Sequence, residues 1–120
     1  MIRILVVDDE QGVCDFLQEF LTKKNYEVLT ATSAESALKC VKETRPHMVL
    51  VDVRMPDKDG VTLLKEIKEI DREISVIMVT ALRDENVAKR TLQLGADGYI
   101  TKPIDLDYLE ANVLVKRLFL

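Results

Sequence analysis

Ile2-Arg3-Ile4-Leu5-Val6-Val7-Asp8-Asp9 is an apolar run that stops on two acids. Met48-Val49-Leu50-Val51-Asp52 repeats the pattern further along the chain. Short runs of this kind read as strands buried on both faces, the signature of a parallel sheet. In an open parallel sheet the ligand crevice lies at the carboxyl ends of the strands. Neighbouring strands run about 4.8 Å apart, so carboxylates ending adjacent strands come within reach of one cation. Clustered carboxylates repel unless a cation or a proton relieves them. An all-oxygen donor set favours a hard ion such as Mg²⁺.

Working outward, strand-like and helix-like segments alternate five times, with no repeat and no low-complexity tract. The strands are expected at Ile2–Val7, Tyr26–Ala31, His47–Val51, Ser75–Val79 and Gly98–Ile100. The helices are expected at Gln11–Lys24, Ala34–Thr44, Val61–Ile70, Glu85–Leu94 and Leu106–Leu118. Val13, Phe16, Leu17, Phe20 and Leu21 form one apolar stripe, and Ala34, Ala37, Leu38 and Val41 another. Thr32 with Glu35 fits a capping box. Pro46 closes off the second helix. Gly95 suits a left-handed helix end, and Asp105 can cap the last helix.

Such alternation requires crossover connections, and right-handed crossovers place helices on both faces of the sheet. The second strand is more polar than the first and third, which suits an edge. The expected fold is therefore α/β, a doubly wound, flavodoxin-like, five-stranded parallel sheet, and the order 2-1-3-4-5 is one that satisfies this edge placement.

The chain of 120 residues suits one domain, with 48% apolar residues for a core and 32% charged residues for a surface. Its net charge of −4, without a basic block, argues against direct binding of nucleic acid or an anionic membrane by this domain. No stretch reads as a bilayer span or a signal peptide, so a cytoplasmic location is the expectation. Cys14 and Cys40 lack metal-type spacing and read as packed, reduced thiols. His47 has no second histidine near it, so no metal or catalytic role is expected for it. The apolar ending Leu118-Phe119-Leu120 reads either as a cut within a longer regulator, this domain being its N-terminal part, or as a packed end.

Taken together, the motifs resemble the receiver domain of a two-component response regulator. The resemblance rests on Asp8-Asp9-Glu10 and on Asp52-Val53-Arg54-Met55-Pro56-Asp57-Lys58-Asp59-Gly60. It continues through Val79-Thr80-Ala81 and Tyr99-Ile100-Thr101-Lys102-Pro103. No one motif is specific, but all of them in order at the ends of the expected strands are.

The resemblance implies the same strand order and a role for each residue. Asp52 is the phosphorylation site and nucleophile. Asp9 and Asp52 ligate Mg²⁺, with help from Asp8 and the backbone carbonyl of Arg54. Lys102 and Thr80 serve the phosphoryl group, Thr80 and Tyr99 form the switch, and the Lys102-Pro103 bond is cis. Arg54 and Leu82 flank the path of attacking water, where a bulky pair would slow hydrolysis. The implied partners are a sensor histidine kinase or phosphotransfer protein. An output domain, an effector or a phosphorylation-dependent homodimer would meet the surface of the fourth helix, fifth strand and fifth helix. On that surface stand Lys89, Arg90, Gln93, Tyr108, Lys116 and Arg117. The expected role is a signalling module rather than an enzyme of turnover.

Two other classes fit the residues less well. An Asp-dependent Mg²⁺ phosphatase of the haloacid dehalogenase type needs Asp-x-Asp, but Arg54 stands where the second acid belongs. A flavodoxin-like binding module needs a Ser/Thr- and Gly-rich phosphate loop after the first strand, where this chain has Asp8-Asp9-Glu10.

Overall fold

The computed structural model describes residues 1–118, and Phe119 and Leu120 of the apolar ending lie outside them. The elements, in chain order, are β1 (Arg3–Val7), α1 (Gln11–Lys23), β2 (Glu27–Ala31), α2 (Ala34–Thr44) and β3 (Met48–Val51). They continue with α3 (Gly60–Ile70), β4 (Ser75–Thr80), α4 (Glu85–Gln93), β5 (Gly98–Thr101) and α5 (Leu106–Arg117). The sheet is parallel throughout, in the order β2-β1-β3-β4-β5. The fold is the α/β arrangement the sequence implies.

Side chains alternate across a strand, so each strand feeds two cores. Leu5, Val7, Val49, Val51, Val76 and Met78 face one way, against Ala34, Ala37 and Val41 of α2 and Leu63, Leu64 and Ile67 of α3. Ile4, Val6, Met48, Leu50, Ile77 and Val79 face the other way, against Cys14, Leu17 and Leu21 of α1 and Leu109 and Val113 of α5. β1, β3 and β4 are apolar on both faces because both faces are covered. β2 is an edge strand, buried fully only at Ala31.

The helix starts follow local chemistry. Asp59, Asp84 and Asp105 cap α3, α4 and α5 with side-chain carboxylates. Gly95 takes φ 103°, a conformation that a Cβ would strain, just beyond α4.

Three sequence expectations need correction. Ser33, not Thr32, caps α2, accepting from the Ser36 amide. Phe16 is 51% exposed, because the buried stripe of α1 runs through Cys14, Leu17 and Leu21 instead. Arg117 lies over the Tyr26 ring, 5.8 Å from its centre, and so turns toward α1 and β2 rather than toward α4.

Candidate functional site

The parallel register brings the chemistry to one end of the sheet. β1 and β3 pair from Ile4–Met48 to Val7–Val51, so Asp8 and Asp52 leave the sheet side by side. The ladder runs one step further, with the Asp52 amide donating to the Val7 carbonyl at 3.1 Å. On the other flank Thr80 ends β4 opposite Thr101 of β5. The Lys102 amide then donates to the Thr80 carbonyl at 2.8 Å, which delivers Lys102 to the same edge. The Lys102-Pro103 peptide is cis.

Lys102 joins residues far apart in the chain. Its Nζ donates to Asp8 Oδ2 at 2.6 Å and to Asp52 Oδ2 at 2.9 Å. The other oxygen of each carboxylate takes a backbone amide. Glu10 N donates to Asp8 Oδ1 and Arg54 N to Asp52 Oδ1, both at 2.9 Å. Asp8 is 3% exposed and Asp52 6%, so these are buried charges that must be paired.

The protonation balance follows from burial. Loss of water pushes the Asp8 carboxyl above the ordinary aspartate value, and the Lys102 and Glu10 hydrogen bonds pull back only part of the way. Burial also works against the Lys102 charge, but its bonds to Asp8 and Asp52 outweigh that and raise its pKa. Lys102 is thus a held cation, and burial makes the Asp8 carboxyl favour a proton or a further positive charge beside it.

Asp8, Asp9 and Glu10 bring their carboxylate oxygens within 4.8 Å of one another. α1 begins without a side-chain cap, so neither Asp9 nor Glu10 is spent on the helix start. Hard oxygens, one buried carboxyl and two exposed acids suit Mg²⁺, which keeps several waters and needs few protein ligands. Asp52 does not belong to this acid trio. It approaches Asp8 through their shared ammonium. Arg54 reaches the site through its backbone, and its side chain is exposed.

Thr80 is fully buried, and its Oγ1 accepts from the Leu82 amide at 3.3 Å. Tyr99 is half-buried and donates from its hydroxyl to the Leu82 carbonyl at 2.7 Å. Burial, then the charges of Asp84 and Asp52, push the Tyr99 phenol above its ordinary value, so it stays a donor. His47 stands apart at the opposite end of β3, its Nδ1 accepting from the Arg3 amide at 2.9 Å.

Two residues at the junction of β3 and α3 do more than their sequence suggested. A Cβ on Gly60 would sit 2.2 Å from the Asp52 carbonyl oxygen and 2.7 Å from the Val53 Cα, so only glycine lets α3 start so close to Asp52. The loop's closing glycine was visible in the motif, but its reason was not. Asp57 spans to α2, accepting from the Ala34 amide at 3.0 Å and the Glu35 amide at 3.1 Å. No sequence signal marks that contact, which joins positions 23 and 22 apart.

The profile of the response regulator receiver domain matches residues 4–114. The chain is 37% identical to sporulation initiation phosphotransferase F of Bacillus subtilis (strain 168), over 92% of this chain and 90% of that protein. It is 42% identical to the transcriptional regulatory protein ZraR of Escherichia coli (strain K12), over 93% of this chain but only 25% of that protein. Among solved structures it resembles the response regulator protein TrrA from Thermotoga maritima in complex with Mg²⁺-BeF. That match has a TM-score of 0.88 and 32% identity, covering 97% of this chain and 99% of that one.

Proposed function

The chain belongs to the response regulator receiver domains, and from that premise we propose that Asp52 is its phosphoacceptor, served by Lys102, Thr80 and an acidic metal site. As a receiver, the protein is a phosphorylation-dependent signalling module of two-component systems, not an enzyme of turnover. One Asp52 oxygen attacks the phosphorus of a phosphohistidine or a small acyl phosphate. The new P–O bond forms an acyl phosphate, and the donor leaves with the electron pair of the broken bond. Lys102, already against Asp52, follows the charge onto a phosphoryl oxygen. The Thr80 hydroxyl turns to donate to another. Asp8, Asp9, Asp52 and the Arg54 carbonyl are the oxygens that would hold Mg²⁺. When bound, the ion supplies charge screening between the anionic donor and the anionic acceptor.

The observation that carries this reading is the Lys102 ammonium shared by Asp8 and Asp52, three residues from three separate loops at one sheet edge. Incubation with Mg²⁺ and acetyl phosphate should add one phosphoryl mass to the wild type and none to Asp52→Ala. Equal uptake by both would overturn the assignment.

The same site supports a placement for the partners. A cleft of about 460 Å³ opens beside Lys102, lined by Val13, exposed Phe16, Pro103 and Ile104. Because Lys102 lines both the cleft and the acceptor site, the phosphodonor protein docks there. Phe16→Ala should then slow transfer from a histidine kinase while sparing acetyl phosphate; equal slowing of both reactions would sink this placement. The signal leaves by the α4–β5–α5 face, to an attached output domain, a separate effector or a second copy. Lys89, Arg90, Gln93 and Tyr108 are exposed there. Hydrogen exchange across that face should change on phosphorylation, and an unaltered pattern would refute the route. No helix among the described residues is long and apolar enough to cross a membrane. A cytoplasmic setting goes with the free thiols of Cys14 and Cys40.

A further inference from the structure

The loop from Asp52 to Asp59 carries the acceptor and, two residues on, the amide that orients it. A loop without secondary structure must be held by something. Three anchors are visible. At its end, the Gly60 amide donates to the Val53 carbonyl at 2.6 Å. On the α3 side, Lys58 Nζ reaches Glu66 Oε1 at 2.6 Å. On the other side Asp57 grips α2 with both carboxylate oxygens, one on the Ala34 amide and one on the Glu35 amide.

The simple reading of Asp57 is that it caps α2, since the first amides of a helix lack partners and favour an anion. But α2 already has its own cap, Ser33, which accepts from the Ser36 amide at 3.1 Å. The helix start can form on Ser33 alone. What the second, distant acceptor adds is a connection: it ties the middle of the acceptor loop to a helix packed into the sheet through buried Ala34, Ala37 and Val41. The two amide bonds also hold the Asp57 carboxyl below the ordinary aspartate range, so it grips as an anion.

The loop's path matters to the chemistry through Arg54. Its amide bond to Asp52 Oδ1 fixes the carboxylate plane, which leaves Oδ2 facing Lys102. If the loop swings away from α2, that amide swings with it. We infer that Asp57 is a positioning residue for phosphoryl transfer at Asp52: by clasping the N-terminus of α2 it holds the loop that orients the acceptor carboxylate. The inference rests on Asp52 being the phosphoacceptor.

The test compares wild type, Asp57→Ala, Asp57→Asn and Ser33→Ala in the whole chain. Each is treated with Mg²⁺ and acetyl phosphate, with phosphorylation followed by intact mass and thermal stability measured in parallel. Asp57→Ala should slow phosphorylation by about tenfold, within the range that misplaced reacting groups produce. Asp57→Asn keeps one acceptor oxygen and should recover part of the rate. Ser33→Ala weakens the same helix start but leaves the loop clasped, so it should lower stability without slowing phosphorylation. A wild-type rate in Asp57→Ala overturns the inference, as does equal slowing by Ser33→Ala, which would mark a mere effect of helix stability. A wild type that takes up no phosphoryl group would instead overturn the phosphoacceptor reading and this inference with it.

Discussion

The two halves of the site edge are held in different ways. At the β1–β3 half, Asp8 and Asp52 are buried, each carboxylate is bonded at both oxygens, and Gly60 closes the loop against backbone. At the β4–β5 half, Thr80 is buried, but its hydroxyl takes a single long bond, and α4 beside it buries only Thr91. Charge and close backbone packing fix the first half. The second is tied to it through the Lys102 ammonium and otherwise holds Thr80 and Tyr99 by neutral hydrogen bonds. Elements that move in a switch come from the low-stability end of a fold, so under the proposed phosphorylation reading the movement is expected in the second half, which also supplies Thr80 and Lys102 to the chemistry.

The contrast can be broken first at Gly60. Gly60→Ala drives a Cβ into the Asp52 carbonyl and should destabilise the protein by about 3 kcal/mol, measured by urea unfolding. A neutral result would mean that this half yields as easily as the other. Next is Lys102→Ala, which strands two buried carboxylates. It should destabilise by about 2 kcal/mol, below the range for fully buried pairs because Lys102 keeps some solvent contact. Mg²⁺ should narrow that gap if the same oxygens hold the ion. The pH dependence has a definite sign. Lys102 is raised above the ordinary lysine value of 10.5, so its contribution is complete below that value and is lost as pH climbs through the raised one. On the alkaline side, stability curves for wild type and Lys102→Ala should therefore converge only at strongly alkaline pH.

On the looser half, Tyr99→Phe removes the bond to the Leu82 carbonyl and should lower stability by about 1 kcal/mol. Hydrogen exchange should speed up in α4 more than in α1, and equal acceleration in both would erase the distinction. The smallest effect belongs to Asp57. Its carboxyl is held below the ordinary value of 3.8, so its contribution is present above that pH and is lost as pH falls through the lowered value. Asp57→Asn should lack this acid-side loss in a pH series of unfolding midpoints.

Nearly all of the fold was legible in the sequence. Every strand and helix lies within one residue of its expected bounds, because the central strands β1, β3 and β4 read as apolar runs and the edges β2 and β5 are bracketed by clear helix signals. The site residues were legible as carboxylates and a lysine at strand ends, and the register brings Asp8, Asp52 and Lys102 together. What stayed hidden depends on contacts that no local pattern encodes. Thr32 and Ser33 are both good caps, and only the backbone path selects Ser33. Phe16 satisfies helical periodicity, but the stripe turns away from it where α1 crosses the sheet. Arg117 follows a helix face whose direction is set by Tyr26. Asp57 carried no signal of its own because its partners lie on a different helix.

Leu82 is a shared footing for two neighbours: its amide donates to Thr80 Oγ1 and its carbonyl accepts from the Tyr99 hydroxyl. These groups belong to successive peptide planes that meet at the Leu82 Cα, and each plane is rigid in itself. Turning one plane about that Cα frees its own partner without obliging the other to let go. The threonine and the tyrosine are therefore separable attachments, each released with the loss of a single hydrogen bond.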